Sequence, residues 1–262
     1  MPEIVKCENV SLWRGDTTIL QNINWTISLG QHWVILGSNG AGKTTLVDML
    51  AGRIYPSQGS VRILDEALGR VEVAEIRQRV GYSSPALAAQ IPGTETVSQV
   101  VLSAVWGVTA SGRETYEDID RIRADSLMEL FEVTTLRQRR FDTLSQGEKQ
   151  RVMVARALMI DPEMLILDEP AAALDLGGRE LLLEGLAELA RDPKSPAMVM
   201  VTHHLEEIPP GFTHVLALKD GKIFAAGPIN RVLTSAVLSQ MYDLQLDVTQ
   251  SRGRYSAKLS SA

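Results

Sequence analysis

Between residues 34 and 46 a short apolar run breaks into a glycine-rich turn and then into helical spacing: Val34-Ile35-Leu36-Gly37-Ser38-Asn39-Gly40-Ala41-Gly42-Lys43-Thr44-Thr45-Leu46. Gly37-x4-Gly42-Lys43-Thr44, set between a strand and a helix, is the phosphate-binding loop pattern. The chemistry explains the residue types. Glycines let backbone N–H groups curl inward around phosphate oxygens, and the helix N-terminus adds the positive end of its dipole. Lys43 comes within reach of β- and γ-phosphates, and the Thr44 hydroxyl can hold Mg²⁺. By average residue usage, a chance match in a chain this long is roughly a one-in-a-hundred event. The strand before and the helix after lower that further. The spacing therefore predicts an α/β core with a nucleoside triphosphate on residues Gly37 to Thr45.

The 262 residues suit one large domain or two modest ones, and 45% hydrophobic content supports a buried core. A net charge of −6, with no basic tail to offset it, argues against a nucleic-acid partner. The densest cationic run, Arg137, Arg139 and Arg140, reads as a solvated face. The single cysteine, Cys7, excludes an internal disulfide and is expected to be a buried small hydrophobe. No apolar stretch approaches the ~20 residues that span a bilayer, and the N-terminus lacks a charged-then-apolar signal. A soluble, cytoplasmic protein is expected.

Along the chain, Ile4 to Trp13 alternates as a strand, a second strand follows at Thr17 to Leu20, and Ile23 to Ile27 alternates again. These short strands predict a small antiparallel sheet feeding the phosphate-loop strand. Trp13 ends the first of them, where a tryptophan serves either packing or base stacking. Its spacing alone favours packing. Val61-Arg62-Ile63-Leu64 and Val80-Gly81-Tyr82 are further strands, the latter ended by Ser83-Ser84-Pro85. From about 90 to 141 the apolar spacing turns helical, interrupted by loop signals at Trp106-Gly107 and Ser111-Gly112. Ser145 and Glu148 then have the spacing of a capping box, opening a helix that Asp161-Pro162 ends.

Met164-Leu165-Ile166-Leu167 is a continuous apolar strand that delivers Asp168 and Glu169 at its carboxyl end. Two acids there suit a Mg²⁺-dependent phosphate site: one orients the metal's water shell and the next polarises an attacking water. An exposed acidic turn is the bland alternative, made several times less favoured by the phosphate loop. A helix over about 178–191 and a buried strand, Ala197 to Val201, lead to Thr202-His203-His204. Neighbouring strand side chains point to opposite faces, so the two histidines would chelate poorly, and one facing the phosphates is expected. His32 and His214 carry no signal. Lys219-Asp220-Gly221 marks a hairpin. A helix near 231–242 precedes a last hairpin, Leu244 to Gln250 with Tyr255 to Leu259.

Together these stretches resemble the ATP-binding subunit of ABC transporters over nearly the whole chain, near the molybdate and iron-chelate importer ATPases. Leu144-Ser145-Gln146-Gly147-Glu148 resembles the family's signature motif, and Leu165-Ile166-Leu167-Asp168-Glu169-Pro170 its Walker B strand. Ala172-Ala173-Leu174-Asp175 is similar to the D-loop and Thr202-His203 to the switch histidine. Trp13 falls where the family places the aromatic that stacks on adenine, which favours stacking over packing.

The resemblance implies a P-loop NTPase (RecA-like) core with an N-terminal antiparallel β subdomain and an inserted α-helical subdomain. Residues 1–89 and 142–262 would form the sheet-bearing parts, 90–141 the insertion and 228–262 a C-terminal extension. It also implies catalysis by Glu169, His203 and Lys43. ATP would be held by Trp13, by Gly37, Ser38, Asn39, Gly40, Ala41, Gly42, Lys43, Thr44 and Thr45, by Asp175, and across the dimer by Ser145 and Gly147. Thr44 and Asp168 would hold Mg²⁺. The expected partners are a second ATPase subunit, in a head-to-tail homodimer, and a transmembrane permease gripped through the insertion. A substrate-binding protein would complete an importer, with the ATPase peripheral to the inner membrane face.

Two departures stand out. The signature has Gln146 and Glu148 where the family usually has glycine and glutamine. The family's metal-contacting glutamine, expected just after Tyr82, is replaced by Ser83-Ser84-Pro85, with Pro85 in the glutamine's place and Gln90 as a nearby substitute. The competing expectation is a soluble ABC ATPase in cluster assembly or in work on nucleic acid or ribosomes.

Overall fold

The computed structural model describes residues 2–110, 112, 114–172 and 174–260. Ser111 of the predicted loop and Ala173 of the D-loop-like stretch lie outside them.

The chain opens with β1 (Glu3–Arg14) and β2 (Thr17–Ser28), then β3 (His32–Leu36), α1 (Lys43–Leu50), β4 (Gln58–Ile63) and β5 (Glu66–Ala67). The order β2-β1-β4-β5 makes an antiparallel sheet. Two expectations change here. The predicted pair of strands at 17–20 and 23–27 is one strand, because an irregularity absorbs the break. Asn22 takes φ 51° and its N–H donates to Ser11 Oγ at 2.9 Å. The sheet also does not continue into the phosphate-loop strand, which belongs to a second sheet.

That second sheet is built from β6 (Val80–Ser83), β7 (Met164–Asp168), β8 (Ala197–Val201), β9 (His214–Lys219) and β10 (Lys222–Pro228) around β3. Its order is β10-β9-β3-β8-β7-β6, parallel except for β10. Every residue of β3, β7 and β8 is buried, because both faces are covered. Trp33, Ile35 and Ile166 face α1 and the first sheet, whereas Val34, Leu36 and Leu167 face the helical side. All five parallel strands end on one side, where open α/β sheets place ligands.

The helices are α2 (Val73–Arg79), α3 (Pro85–Ala88), α4 (Val97–Leu102), α5 (Asp118–Leu130), α6 (Gln146–Leu158), α7 (Leu176–Arg191), α8 (Ile229–Val232) and α9 (Ser235–Tyr242). α7 starts two residues earlier than its spacing suggests, capped by Asp175. The helix expected over 231–242 is two pieces, because Thr234 caps a fresh start at α9. β11 (Leu246–Ser251) and β12 (Arg254–Leu259) form the last hairpin. Cys7 is buried as expected, and burial pushes its thiol up to about 12, beyond use as a nucleophile. The arginine run on the surface is ion-paired: Arg137 with Asp125, Arg139 with Glu148 and Arg140 with Asp142.

Candidate active site

β3 delivers the phosphate loop. An added Cβ at Gly37 would come within 2.5 Å of the Leu218 carbonyl oxygen, so only glycine lets the loop leave β3 alongside β9. Gly42 takes φ 97° and packs on Leu20, a left-handed turn that starts α1. Lys43 is buried, and its Nζ donates to the carbonyls of Gly37 at 2.8 Å and Ser38 at 3.0 Å. Burial lowers its pKa, while the charges of Glu169 and Asp168 oppose the shift. The ammonium therefore faces the two acids at the end of β7.

Those acids divide. Thr44 Oγ1 donates to Asp168 Oδ1 at 3.4 Å. Burial raises Asp168 to about 6; the Thr44 hydroxyl pulls the other way, and the charges of Glu169 and Asp48 add to the rise. Glu169 leaves the strand at φ 49°, held by its N–H on the Val201 carbonyl at 3.1 Å. It lines a cavity of about 250 Å³ together with Asn39, Gly40, Gly42, Lys43, Thr44, Thr45 and Ile19. His203 Nδ1 stands 3.4 Å from Glu169 Oε1. His203 and His204 follow the end of β8, so strand alternation does not separate them, and their rings lie 4.1 Å apart. Among the described residues no cluster has the makings of a histidine–carboxylate–thiolate metal site.

Ser145 and Gly147 line no part of this cavity. Ser145 caps α6: its Oγ accepts from Glu148 N–H at 3.2 Å, and Glu148 Oε2 accepts from Ser145 N–H at 2.7 Å. Glu148 therefore completes the capping box. Asp175 caps α7 by itself, its Oδ1 accepting from Gly178 N–H at 2.7 Å. The two helix starts meet, with an added Cβ at Gly147 falling 3.5 Å from the Gly178 Cα.

A family model described as "ABC transporter" matches residues 20–172. An uncharacterised ABC transporter ATP-binding protein of Bacillus subtilis, YlmA, is 38% identical over 252 residues, 96% of this chain and 95% of the relative. The chain belongs to the ABC transporter ATP-binding family. HmuV of Thermobifida fusca, a hemin import ATP-binding protein, is 32% identical, covering 94% of this chain and 84% of its own. The solved structure of cbiO1 from Clostridium perfringens, part of the ABC transporter complex cbiONQ, superposes with a TM-score of 0.77 at 26% identity. It covers 91% of this chain and 93% of its own. The protein is thus an ATP-hydrolysing cassette of the ABC type.

In this ABC cassette Trp13 is 47% exposed beside Thr18. It contributes little to the core, contrary to what spacing alone favours. Pro85 occupies the first turn of α3 behind the Ser84 cap, and Gln90 is exposed beyond that helix. Neither lines the phosphate-loop cavity. One residue that no motif marks lines the cavity, and others brace the elements around it. Ile19 reaches the cavity because β2 folds over the loop, tied by Gln21 N–H donating to the Gly221 carbonyl at 2.8 Å. Tyr82 Oη donates to Asp48 Oδ1 at 2.9 Å, one helical turn after Thr44. Arg254 donates to both oxygens of Glu180 and to the Glu206 carbonyl, joining the last hairpin to α7 and to the segment after His203. Such contacts cross tens of residues and leave no local pattern. Among the described residues no helix is long and apolar enough to cross a membrane.

Proposed function

We propose that this cassette hydrolyses Mg·ATP between two copies arranged head to tail, and that the cycle drives a membrane-embedded importer. The observation that carries it is the single cavity where the phosphate loop and Glu169 meet, with His203 against Glu169. Lys43 and the loop N–H groups bind the β- and γ-phosphates. Glu169 takes the proton of the water that attacks the γ-phosphorus, and the bond to the ADP oxygen breaks. His203 holds the γ-phosphate oxygens in line. Asp168, a carboxyl whose charge burial opposes, beside the Thr44 hydroxyl is a donor pair that suits a hard divalent cation. Mg²⁺ bound there supplies charge neutralisation for the phosphate oxygens.

Ser145 and Gly147 stand at a helix N-terminus suited to a phosphate, yet outside their own chain's cavity. They and Asp175 therefore serve the nucleotide of the second copy, while Trp13 stacks on its own chain's adenine. The importer assignment follows the hemin importer ATPase among the relatives, and the permease assignment follows the complex that contains cbiO1. The helical segment 90–141 grips the permease at the inner membrane face, and a substrate-binding protein feeds it from the other side.

Glu169→Gln tests the chemistry. The variant is expected to bind ATP as tightly as wild type while hydrolysis falls at least a hundredfold, the scale of losing a transition-state group. Undiminished phosphate release would overturn the assignment.

A further inference from the structure

His203 stands on a short turn that its own neighbours cannot complete. After β8 the chain runs through Thr202-His203-His204 into the single turn Leu205–Glu207, then Ile208-Pro209-Pro210. Local bonds hold the first part. The Thr202 hydroxyl donates to the buried Glu207 carboxylate and accepts from the His204 N–H at 3.0 Å, and the Leu205 carbonyl accepts from the Ile208 N–H at 3.2 Å. The Glu206 carbonyl has no such neighbour, because the residues three and four positions on are Pro209 and Pro210 and proline carries no N–H. Arg254 supplies the missing donors from the far end of the chain, through Nε at 3.1 Å and through Nη2.

Arg254 is itself held firmly. It opens β12 directly after a tight turn in which Arg252 and Gly253 take φ 50° and 80°. An added Cβ at Gly253 would lie 3.5 Å from Pro210, so the turn rests on the proline pair, and the next residue, Tyr255, is buried in the core. The rest of the guanidinium is engaged by α7: Nη1 donates to Glu180 Oε2 at 2.8 Å and Nη2 to Oε1 at 3.3 Å. Those bonds hold the Glu180 carboxyl below the usual carboxylate range. A planar fork engaged by both partners keeps one orientation. Packing alone does not fix the switch segment. A cavity of about 260 Å³ lies beside it, lined by His203, His204 and Leu205 on one side and by Leu238, Tyr242 and Ala257 on the other. Side chains that border open space can shift where those in a close-packed core cannot.

We infer that Arg254 is a positioning residue for ATP hydrolysis: anchored on Glu180, it completes the Glu206 carbonyl and so holds the turn Leu205–Glu207, and with it His203, in place against Glu169. This rests on the His203 role proposed above. A displacement of about 1 Å at a reacting contact can cost roughly a hundredfold in rate. Arg254 lines no part of the phosphate-loop cavity, so its loss slows the chemical step and leaves ATP binding unchanged.

Arg254→Met keeps the stem of the side chain and removes every donor. In steady-state hydrolysis by the full chain it is expected to lower kcat about ten- to a hundredfold, with the KM for ATP within about twofold of wild type. Glu180→Ala leaves the arginine unanchored and is expected to lower kcat less, again with KM unchanged. Ring signals of isotope-labelled histidine, assigned by single substitutions to alanine, read the geometry apart from the rate. In Arg254→Met the His203 and His204 signals are expected to move, while those of His32 and His214, at the amino ends of β3 and β9, stay in place. A wild-type kcat, a change confined to KM, or an unmoved His203 signal overturns the inference. So does movement of all four histidine signals, the mark of a general loosening. Should Arg254→Met fail to bind ATP, Glu180→Ala is read against the same outcomes. His203→Ala separates the two layers. If it hydrolyses ATP at the wild-type rate, the His203 role falls and takes this inference with it, whereas a slow His203→Ala beside a fast Arg254→Met removes Arg254 alone.

Discussion

Asp168 carries the sharpest conflict of any single residue. Its carboxyl sits at about 6 in the fold against a usual 3.8, because burial disfavours the charge. The raised value means that the folded chain holds the proton more tightly than the unfolded chain does. The stability cost is therefore absent below about pH 4 and grows as pH rises to about 6. There it reaches ~3 kcal/mol. In metal-free buffer Asp168→Asn is expected to be the more stable protein by that order at pH 8, with the difference gone at pH 3.5. Guanidinium melts at the two pH values check this, and a constant difference would show that burial is not the cause. Trp13 presents the reverse case, a large apolar side chain left in water. Trp13→Ala is expected to leave the melting temperature within a few degrees and to weaken ATP binding roughly 5- to 150-fold, from a stacking worth ~1–3 kcal/mol. Fluorescent-nucleotide titration measures it. A collapsed melting temperature with unchanged affinity would return Trp13 to a packing role.

At the scale of elements, the contact between β6 and α6 holds the helical side against the sheet. Gly81 permits it: a Cβ there would sit 2.3 Å from the Ala157 carbonyl oxygen and 3.0 Å from Pro162 Cγ. Backbone must move to admit any side chain. Gly81→Val is expected to cost ~2 kcal/mol or more, measured by urea unfolding. The same element shows why Ser83-Ser84-Pro85 could be read only in part. The proline ends a strand in sequence terms, yet Ser84 caps and Pro85 opens a one-turn helix, because proline suits the first helical position. Which side chain would then face the metal depends on how β6 and α1 pack, and the spacing of residues does not contain that.

For the whole molecule, the separation of Ser145 and Gly147 from the phosphate-loop cavity decides what an active unit is. If each nucleotide is completed by the second copy, Glu169→Gln blocks the exit from the closed dimer, and light scattering with Mg·ATP is expected to show a dimer at micromolar concentration. Ser145→Arg added to Glu169→Gln places a bulky cation at the start of α6 and is expected to return the protein to monomer. A double variant that dimerises as well as the single one would remove Ser145 from the interface.

The chain's local order was legible before folding was known. The phosphate loop, the capping box at Ser145, the apolar run into Asp168-Glu169 and the Asp220-Gly221 hairpin each depend on neighbours within about ten residues. Backbone geometry and capping chemistry act over that range. Tertiary structure alone decided the rest. It merged two predicted strands into β2, separated the first sheet from β3, and brought His203 within 3.4 Å of Glu169. It raised Asp168 by burial and brought Arg254 of the last hairpin onto Glu180 and the Glu206 carbonyl. Burial and charge proximity are properties of space and not of order along the chain. They come into being only when distant segments pack.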